Sequence, residues 1–335
     1  MGFRVRTSFK IAPGVRMSVS PKSIGLSAGV KGARVSVNSR RGVTSTVGIP
    51  GSGISYSATA GRPGVAKGTP HRASAPAAPA QMAKPKPGMF APAWEKALHK
   101  TVTGTGDAAS LQRLAAETPT AAGVLSLAEV MFYSTKNGDL ARTRALLDWL
   151  VTSGYRPETD EPAKKYLIGQ TITLPIATGI AAVMPVDSSA IGLLLAEIEQ
   201  DAGNLGRAAE VVEGLEPTTL AAVSLAELYA EQGRWRDVVE LTDGITNEDE
   251  PSTYLLMQRG AALRELSFYD AGTEALKEAL RVRSRPSELK NLALIERGKT
   301  YLAAGKKRLA RKDFERVMAD DSRFEGLSEL IAAAA

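Results

Sequence analysis

The sequence predicts an α+β multidomain chain, with a small all-β N-terminal domain, a Pro/Ala/Gly linker and an α-helical repeat body that carries a β-hairpin insertion. Three observations predict it. Apolar and polar residues alternate with period two through residues 1–59, residues 60–91 lose all periodicity, and from residue 92 apolar residues recur at helical spacing. At 335 residues the chain has room for about two domains.

The first strands are the clearest. Phe3, Val5, Phe9 and Ile11 fall on one parity and Arg4, Arg6, Ser8 and Lys10 on the other. After Pro13-Gly14 the pattern resumes, with Val15, Met17 and Val19 against Arg16, Ser18 and Ser20. Ile24, Leu26 and Ala28 follow, then Ala33, Val35 and Val37 with Arg34 on the other face, then Val43, Val47, Ile54 and Tyr56. Turn pairs at Pro13-Gly14, Pro21-Lys22, Lys31-Gly32, Arg41-Gly42 and Pro50-Gly51 recur about every ten residues, the signature of a meander or small barrel. A domain of about 60 residues with small inward side chains is marginal alone, so it is expected to self-associate or dock on the rest of the chain.

Residues 60–91 are dominated by Pro, Ala and Gly and read as an extended, mobile linker. Residues 92–165 read as helical hairpins, with a break at Asn137-Gly138-Asp139 and an end at Gly154. Residues 166–186 then carry no charge, a length that could span a bilayer. Thr171, Thr173, Thr178, Gln170 and two prolines make the run poorly apolar, and Ile172, Leu174 and Ile176 alternate with Thr171, Thr173 and Pro175. The first expectation is a β-hairpin over 166–187 turning at Thr178-Gly179; a buried irregular helix and a membrane span stand as alternatives.

Residues 188–335 are expected to form the helical repeats. Turn positions align at Gly203, Gly233, Ser267 and Gly305, with spacings of 30, 34 and 38 residues. The departures from 34 are about one helical turn, so the phase of the helices is nearly kept. Seven residues before each turn stands a small residue, Ala196, Ala226, Gly260 or Gly298. Four before it stands Tyr229, Leu263 or Tyr301, with Glu199 as the exception, and five after it stands Ala208, Val238, Gly272 or Ala310. This layout resembles the tetratricopeptide repeat, most closely in "RGKTYLAAGKKRLARKDFERV", where Gly298, Tyr301, Ala310 and Phe314 occupy the family's small and large packing positions. The opening run from Gly2-Phe3-Arg4 to Gly51-Ser52-Gly53-Ile54-Ser55-Tyr56 is similar to a bacterial N-terminal family known only as a domain of unknown function.

Charge is sharply divided. The first acidic residue is Glu95; fourteen Lys or Arg precede it, while the remainder holds 28 basic and 36 acidic residues, so the net +6 is the sum of +14 and −8. There is no cysteine, which excludes disulfides and thiolate metal sites, and the two histidines, His71 and His99, read as solvated. "GIPGSG" at 48–53 lacks the Lys-Ser/Thr ending of a phosphate loop and leads into a strand, so it reads as a tight turn. No nucleophile elbow, zinc-protease pair or Asp-rich metal loop occurs. The expectation is a non-catalytic chain without a cofactor or metal. Arg4, Arg6 and Lys10 interrupt any leader-like apolar run, which makes the cytoplasm the expected compartment.

The resemblance to tetratricopeptide proteins implies a groove lined by the first helix of each repeat, which takes a protein or peptide partner. Carried onto this sequence, it selects Glu197, Gln200 and Asp201, then Glu227 and Glu231, then Arg264, then Lys299. Such a groove is acidic at one end and basic at the other, with Lys306, Lys307, Arg308, Arg311 and Lys312 reinforcing the basic end from outside. The acidic end favours a cationic ligand, and one is tethered to it in the chain's own head or its Lys84-Pro-Lys86-Pro stretch. For the face carrying Arg4, Arg6, Lys10, Arg16 and Arg34, docking on protein, within the chain or on a second copy, is the first expectation. Phosphate contacts to nucleic acid, rest on an anionic membrane and simple solubilisation of a sheet edge remain the alternatives.

Overall fold

The computed structural model describes the backbone of six strand segments between residues 7 and 60, and of residues 85–335 apart from 136–138 and 168. Side chains are described from residue 85 onward, except 134–138 and 168. Arg4, Arg6, the linker to residue 84, and the turn pairs Pro13-Gly14, Pro21-Lys22, Lys31-Gly32 and Pro50-Gly51 lie outside the described residues.

Strands β1 (Thr7–Ala12), β2 (Val15–Ser20), β3 (Ser23–Val30), β4 (Ala33–Asn38), β5 (Gly42–Gly48) and β6 (Ser55–Ala60) pair in chain order, each antiparallel to the next. The register carries the alternation of the sequence across the sheet. Phe9 lies opposite Met17, Met17 opposite Leu26, Leu26 opposite Val37 and Val37 opposite Val43, one apolar row. The neighbouring row runs Lys10, Arg16, Ser27, Ser36 and Thr44, and Arg34 stands two residues from Ser36 on the same face of the pleat.

From residue 85 the described chain is mostly helical, and the contacts divide it into two compact units, 1–174 with 183–191, and 175–182 with 192–335. In the first unit, α1 (Ala93–Val102), α2 (Ala108–Glu117), α3 (Ala122–Thr135), α4 (Leu140–Thr152) and α5 (Glu161–Tyr166) bury Leu98, Leu111, Leu125, Leu147 and Leu150. Asp107 and Asp139 supply the N-caps of α2 and α4, accepting the backbone N–H of Ser110 at 2.8 Å and of Arg142 at 3.0 Å. Buried Glu129 on α3 accepts both Arg142 (3.0 and 3.1 Å) and Gln112 (2.7 Å), so its charge is fully compensated.

The uncharged run beyond α5 is a hairpin. Strands β7 (Thr171–Ala177) and β8 (Ile180–Pro185) pair across Thr178-Gly179, and Leu174, Ile176, Ile180 and Met184 are buried. No helix among the described residues is long and apolar enough to cross a membrane.

Helix α6 (Ser188–Asp201) leads into the repeats: α7 (Leu205–Glu213), α8 (Thr219–Glu231), α9 (Trp235–Leu241), α10 (Glu250–Glu265), α11 (Tyr269–Ala279), α12 (Ser287–Ala303), α13 (Lys307–Asp320) and the short α14 (Leu327–Ala333). The four aligned turn positions have one geometry. Gly203, Gly233, Ser267 and Gly305 adopt φ of +78, +70, +66 and +71°. At each, the left-handed residue donates its N–H three residues back and the next residue donates five back, as in Asn204 to Glu199 O and Gly203 to Gln200 O, both 2.8 Å. This is the Schellman closure, which satisfies the last carbonyls of a helix and turns the chain for the next.

The small residues bring the paired helices together. A Cβ on Gly298 would stand 2.2 Å from Phe314 Cε1, and one on Gly260 would stand 2.4 Å from Leu276 Cγ. Ala196, Ala226, Ala208, Val238 and Ala310 are all buried, and Tyr301 packs on the cluster of Leu294, Ile295, Ala310, Phe314 and Val317. The exceptional Glu199 is buried as well; its carboxylate accepts the Asn204 side-chain amide at 2.9 Å. α10 packs against α8 on one side and α12 on the other, so the first helices of successive repeats lie side by side.

Candidate groove of the helical repeats

The residues selected from the sequence lie on α6, α8, α10 and α12. Glu197, Gln200 and Asp201 lie within a turn of one another on α6, and Glu227 and Glu231 are four apart on α8. The two helices bring their carboxylates together. Burial raises the Glu197 carboxyl to about 7, with Asp201, Glu227 and Glu231 each pushing in the same direction. Gln200 donates its amide to Glu231 at 2.7 Å. Glu227 also rises, mainly through burial and then through Glu231, although the Tyr254 hydroxyl and the backbone N–H of Thr178 both donate to it. Tyr254 is itself buried on α10 and accepts the Gln258 amide at 2.8 Å.

The other end is differently arranged. Arg264 on α10 and Lys299 on α12 come together, but on a carboxylate that the sequence reading does not single out, Glu296. Lys299 Nζ lies 2.7 Å from Glu296 Oε1, and Arg264 holds its second oxygen while also reaching Glu265 at 3.0 Å. Burial alone would push Glu296 up; Arg264 and Lys299 outweigh it and hold the carboxyl below its ordinary range. The predicted basic end is thus a paired network. Arg264 and Lys299 line an open depression of about 510 Å³ with Tyr269, Leu302 and Leu330. Beside it, Arg297 grips buried Asp313 through two hydrogen bonds of 2.7 Å.

The outer cations around the start of α13 are all exposed. Lys306 pairs with Asp270 at 2.9 Å, Arg311 pairs with Glu315 at 2.9 Å, and Lys307 donates to the Ala335 carbonyl at 3.1 Å.

Sequence reasoning missed three participants: Glu296, Tyr254 and Thr178. A signal existed for the first, because Glu296 stands two residues before Gly298 and three before Lys299, one helical turn from a residue that was selected. Nothing in the repeat pattern points to the arrival of Thr178 at Glu227.

Residues 3–57 match the family described as "Protein of unknown function (DUF4236)". The matched stretch contains all five candidate cations, of which Lys10, Arg16 and Arg34 fall within strands. Among solved structures, the chain is similar to the N-terminal domain of the EccA1 ATPase from the ESX-1 secretion system of Mycobacterium tuberculosis, at 15% identity over 72% of this chain and 89% of that one, with a TM-score of 0.46. It is also similar to BtubC (BKLC) from P. vanneervenii, at 18% identity over 70% of this chain and 94% of that one, with a TM-score of 0.40. No curated protein matches the chain. Among the described residues no group of three or more His, Asp or Glu is arranged to hold a metal ion.

Proposed function

We propose that the protein is a non-catalytic scaffold or adaptor, in which a tetratricopeptide-like groove binds a protein or peptide partner and the basic DUF4236 head docks on an acidic surface. The observation that carries the reading is the gathering of Glu197, Asp201, Glu227 and Glu231 from α6 and α8: burial is the main cause that raises Glu197 to about 7, and the other three carboxylates each add to it. Like charges placed this way cost stability in the isolated chain. A cationic ligand removes that cost, so the same residues favour a partner of opposite charge. The head supplies one, since it holds Lys and Arg and no Asp or Glu.

The test is binding of a labelled 1–60 segment to a chain beginning at residue 85, followed against salt and with short DNA and RNA as competitors. The expected result is an association weakened about tenfold by Glu197→Gln, Asp201→Asn and Glu231→Gln together, and weakened further as salt shortens the screening length. A head segment that ignores the acidic face and is retained by nucleic acid would replace this reading with phosphate binding through Lys10, Arg16 and Arg34.

A further inference from the structure

The groove is not open along its length, because part of this chain lies on it. Residues 175–182, the tip of the β7–β8 hairpin, belong to the same compact unit as the repeats. The tip turns at Gly179, whose φ of +80° is open to glycine and strained for other residues. A Cβ at Gly179 would lie 3.6 Å from Cγ of Glu288 and 3.9 Å from Cδ1 of Leu292, both at the start of α12. One residue earlier, the Thr178 N–H donates to the Glu227 carboxylate on α8. Because α10 lies between α8 and α12, a two-residue turn reaches across all three inner helices. Ile176 and Ile180 flank it and are buried, at 5% and 4% exposure, while Thr178 and Gly179 themselves are exposed.

The attachment has a definite chemistry. The turn offers one free backbone donor to a carboxylate and a bare glycine edge to an aliphatic side chain; it brings no cation. The two central residues stay in solvent and contribute one hydrogen bond and a short van der Waals edge, while the buried Ile176 and Ile180 flank them. An occupant whose polar anchor is a single hydrogen bond can be displaced by a competitor that supplies a stronger one, and any ligand needing the vacated surface binds more weakly by the fraction of time the tip is in place.

We propose that the inner face of α8, α10 and α12 is a receptor for an apolar β-turn with a free N–H donor, that the chain's own hairpin tip is its resident occupant, and that a partner enters by displacing that tip. The proposal rests on the reading of this face as a ligand groove and names the class of segment it takes. Glu227 is the shared element: it anchors the tip and also belongs to the acidic cluster, so a partner that engages the cluster competes with Thr178 for the same oxygens.

Because the sequence holds no cysteine, Leu292→Cys places a single thiol under the tip in the full-length chain. The rate of its reaction with a maleimide reports how often the tip lifts. Thr178→Pro is the releasing change: Gly179 takes the positive φ of the turn, Thr178 does not, and Pro suits the first central position while removing the N–H. The expected result is labelling of the introduced thiol about tenfold faster in the Thr178→Pro chain, the loss of one hydrogen bond to a charged acceptor. Glu227→Gln, which keeps the side chain's size, should move the rate in the same direction. A backbone-cyclised peptide of residues 175–182 should bind the Thr178→Pro chain about tenfold more tightly than the parent. Equal labelling rates, with the peptide binding both chains alike, would overturn the resident occupant and leave the groove standing. Faster labelling with no binding of the peptide to either chain would remove the groove as a receptor for this class of segment.

Discussion

The two ends of the repeat unit hold ionised groups in opposite ways. Where α6 meets α8, four carboxylates crowd together with Gln200, Tyr254 and the Thr178 N–H as the neutral donors named on them. Where α12 meets α10 and α13, the partly buried Glu296 and the buried Asp313 are each held by one or two cations. In the first region charge is left uncompensated; in the second it is consumed inside the fold. The difference teaches that a count of acidic and basic residues along the sequence does not locate a binding surface. The basic repeats spend their cations on their own carboxylates, and the acidic repeats keep theirs available.

The largest expected effect breaks the compensated end. Arg297 and Asp313 are 14% and 4% exposed, and Arg297 also lies over the Tyr301 ring. Arg297→Met leaves Asp313 buried without its cation and should cost about 3–5 kcal/mol of unfolding free energy, read from urea denaturation. Replacing both partners, Arg297→Met with Asp313→Leu, should recover most of that loss, because the penalty lies in the orphaned charge. A single variant that lost less than about 1 kcal/mol would mean that the pair is solvated and that the two ends do not differ in kind.

Much of this was legible in the sequence, and the failures have a physical pattern. The turns at Gly203, Gly233, Ser267 and Gly305 could be read because a left-handed residue and two small residues recur at fixed offsets, and local geometry demands each of them. The hairpin turn at Thr178-Gly179 was readable for the same reason: alternation of Ile172, Leu174 and Ile176 sets the strand, and a glycine closes it. The pairing of Arg264 and Lys299 on Glu296 was not read, since it depends on which side chains meet across two repeats 32 residues apart. The landing of the tip on Glu227 is longer-ranged still, joining residues 178 and 227, and no period in the sequence encodes it.

A middle-sized effect sharpens the uncompensated end through pH. The folded carboxyl of Glu197 sits at about 7, above the ordinary value of 4.5 that it regains on unfolding. Between those values the folded chain binds the extra proton, so this group's contribution to stability is intact below about pH 4.5 and falls as pH rises to about 7. With Glu197 only partly buried and screened by solvent, the loss should be about 1 kcal/mol. Glu197→Gln should remove it, leaving the variant more stable than the parent at pH 8 and nearly equal to it at pH 5. Parallel stability curves for the two chains across that range would show that burial and the neighbouring Asp201, Glu227 and Glu231 do not raise Glu197 in solution.

The smallest effect asks how much compensation the far end holds in reserve. Glu296 has two cations, and they are unequal: the Arg264 side chain is 15% exposed and the Lys299 side chain 40%. A half-exposed lysine three residues along the same helix behaves as a surface pair, which contributes a few tenths of a kcal/mol. Lys299→Met should therefore lower stability by no more than about 0.5 kcal/mol, because Arg264 still neutralises Glu296. The same substitution at Arg264 should cost several times as much, since Lys299 reaches only one carboxylate oxygen and cannot reproduce the guanidinium's grip. Comparable losses from the two variants would mean that both cations share the burial of Glu296 equally. The basic end would then have no cation to spare, which would make its contrast with the acidic end sharper.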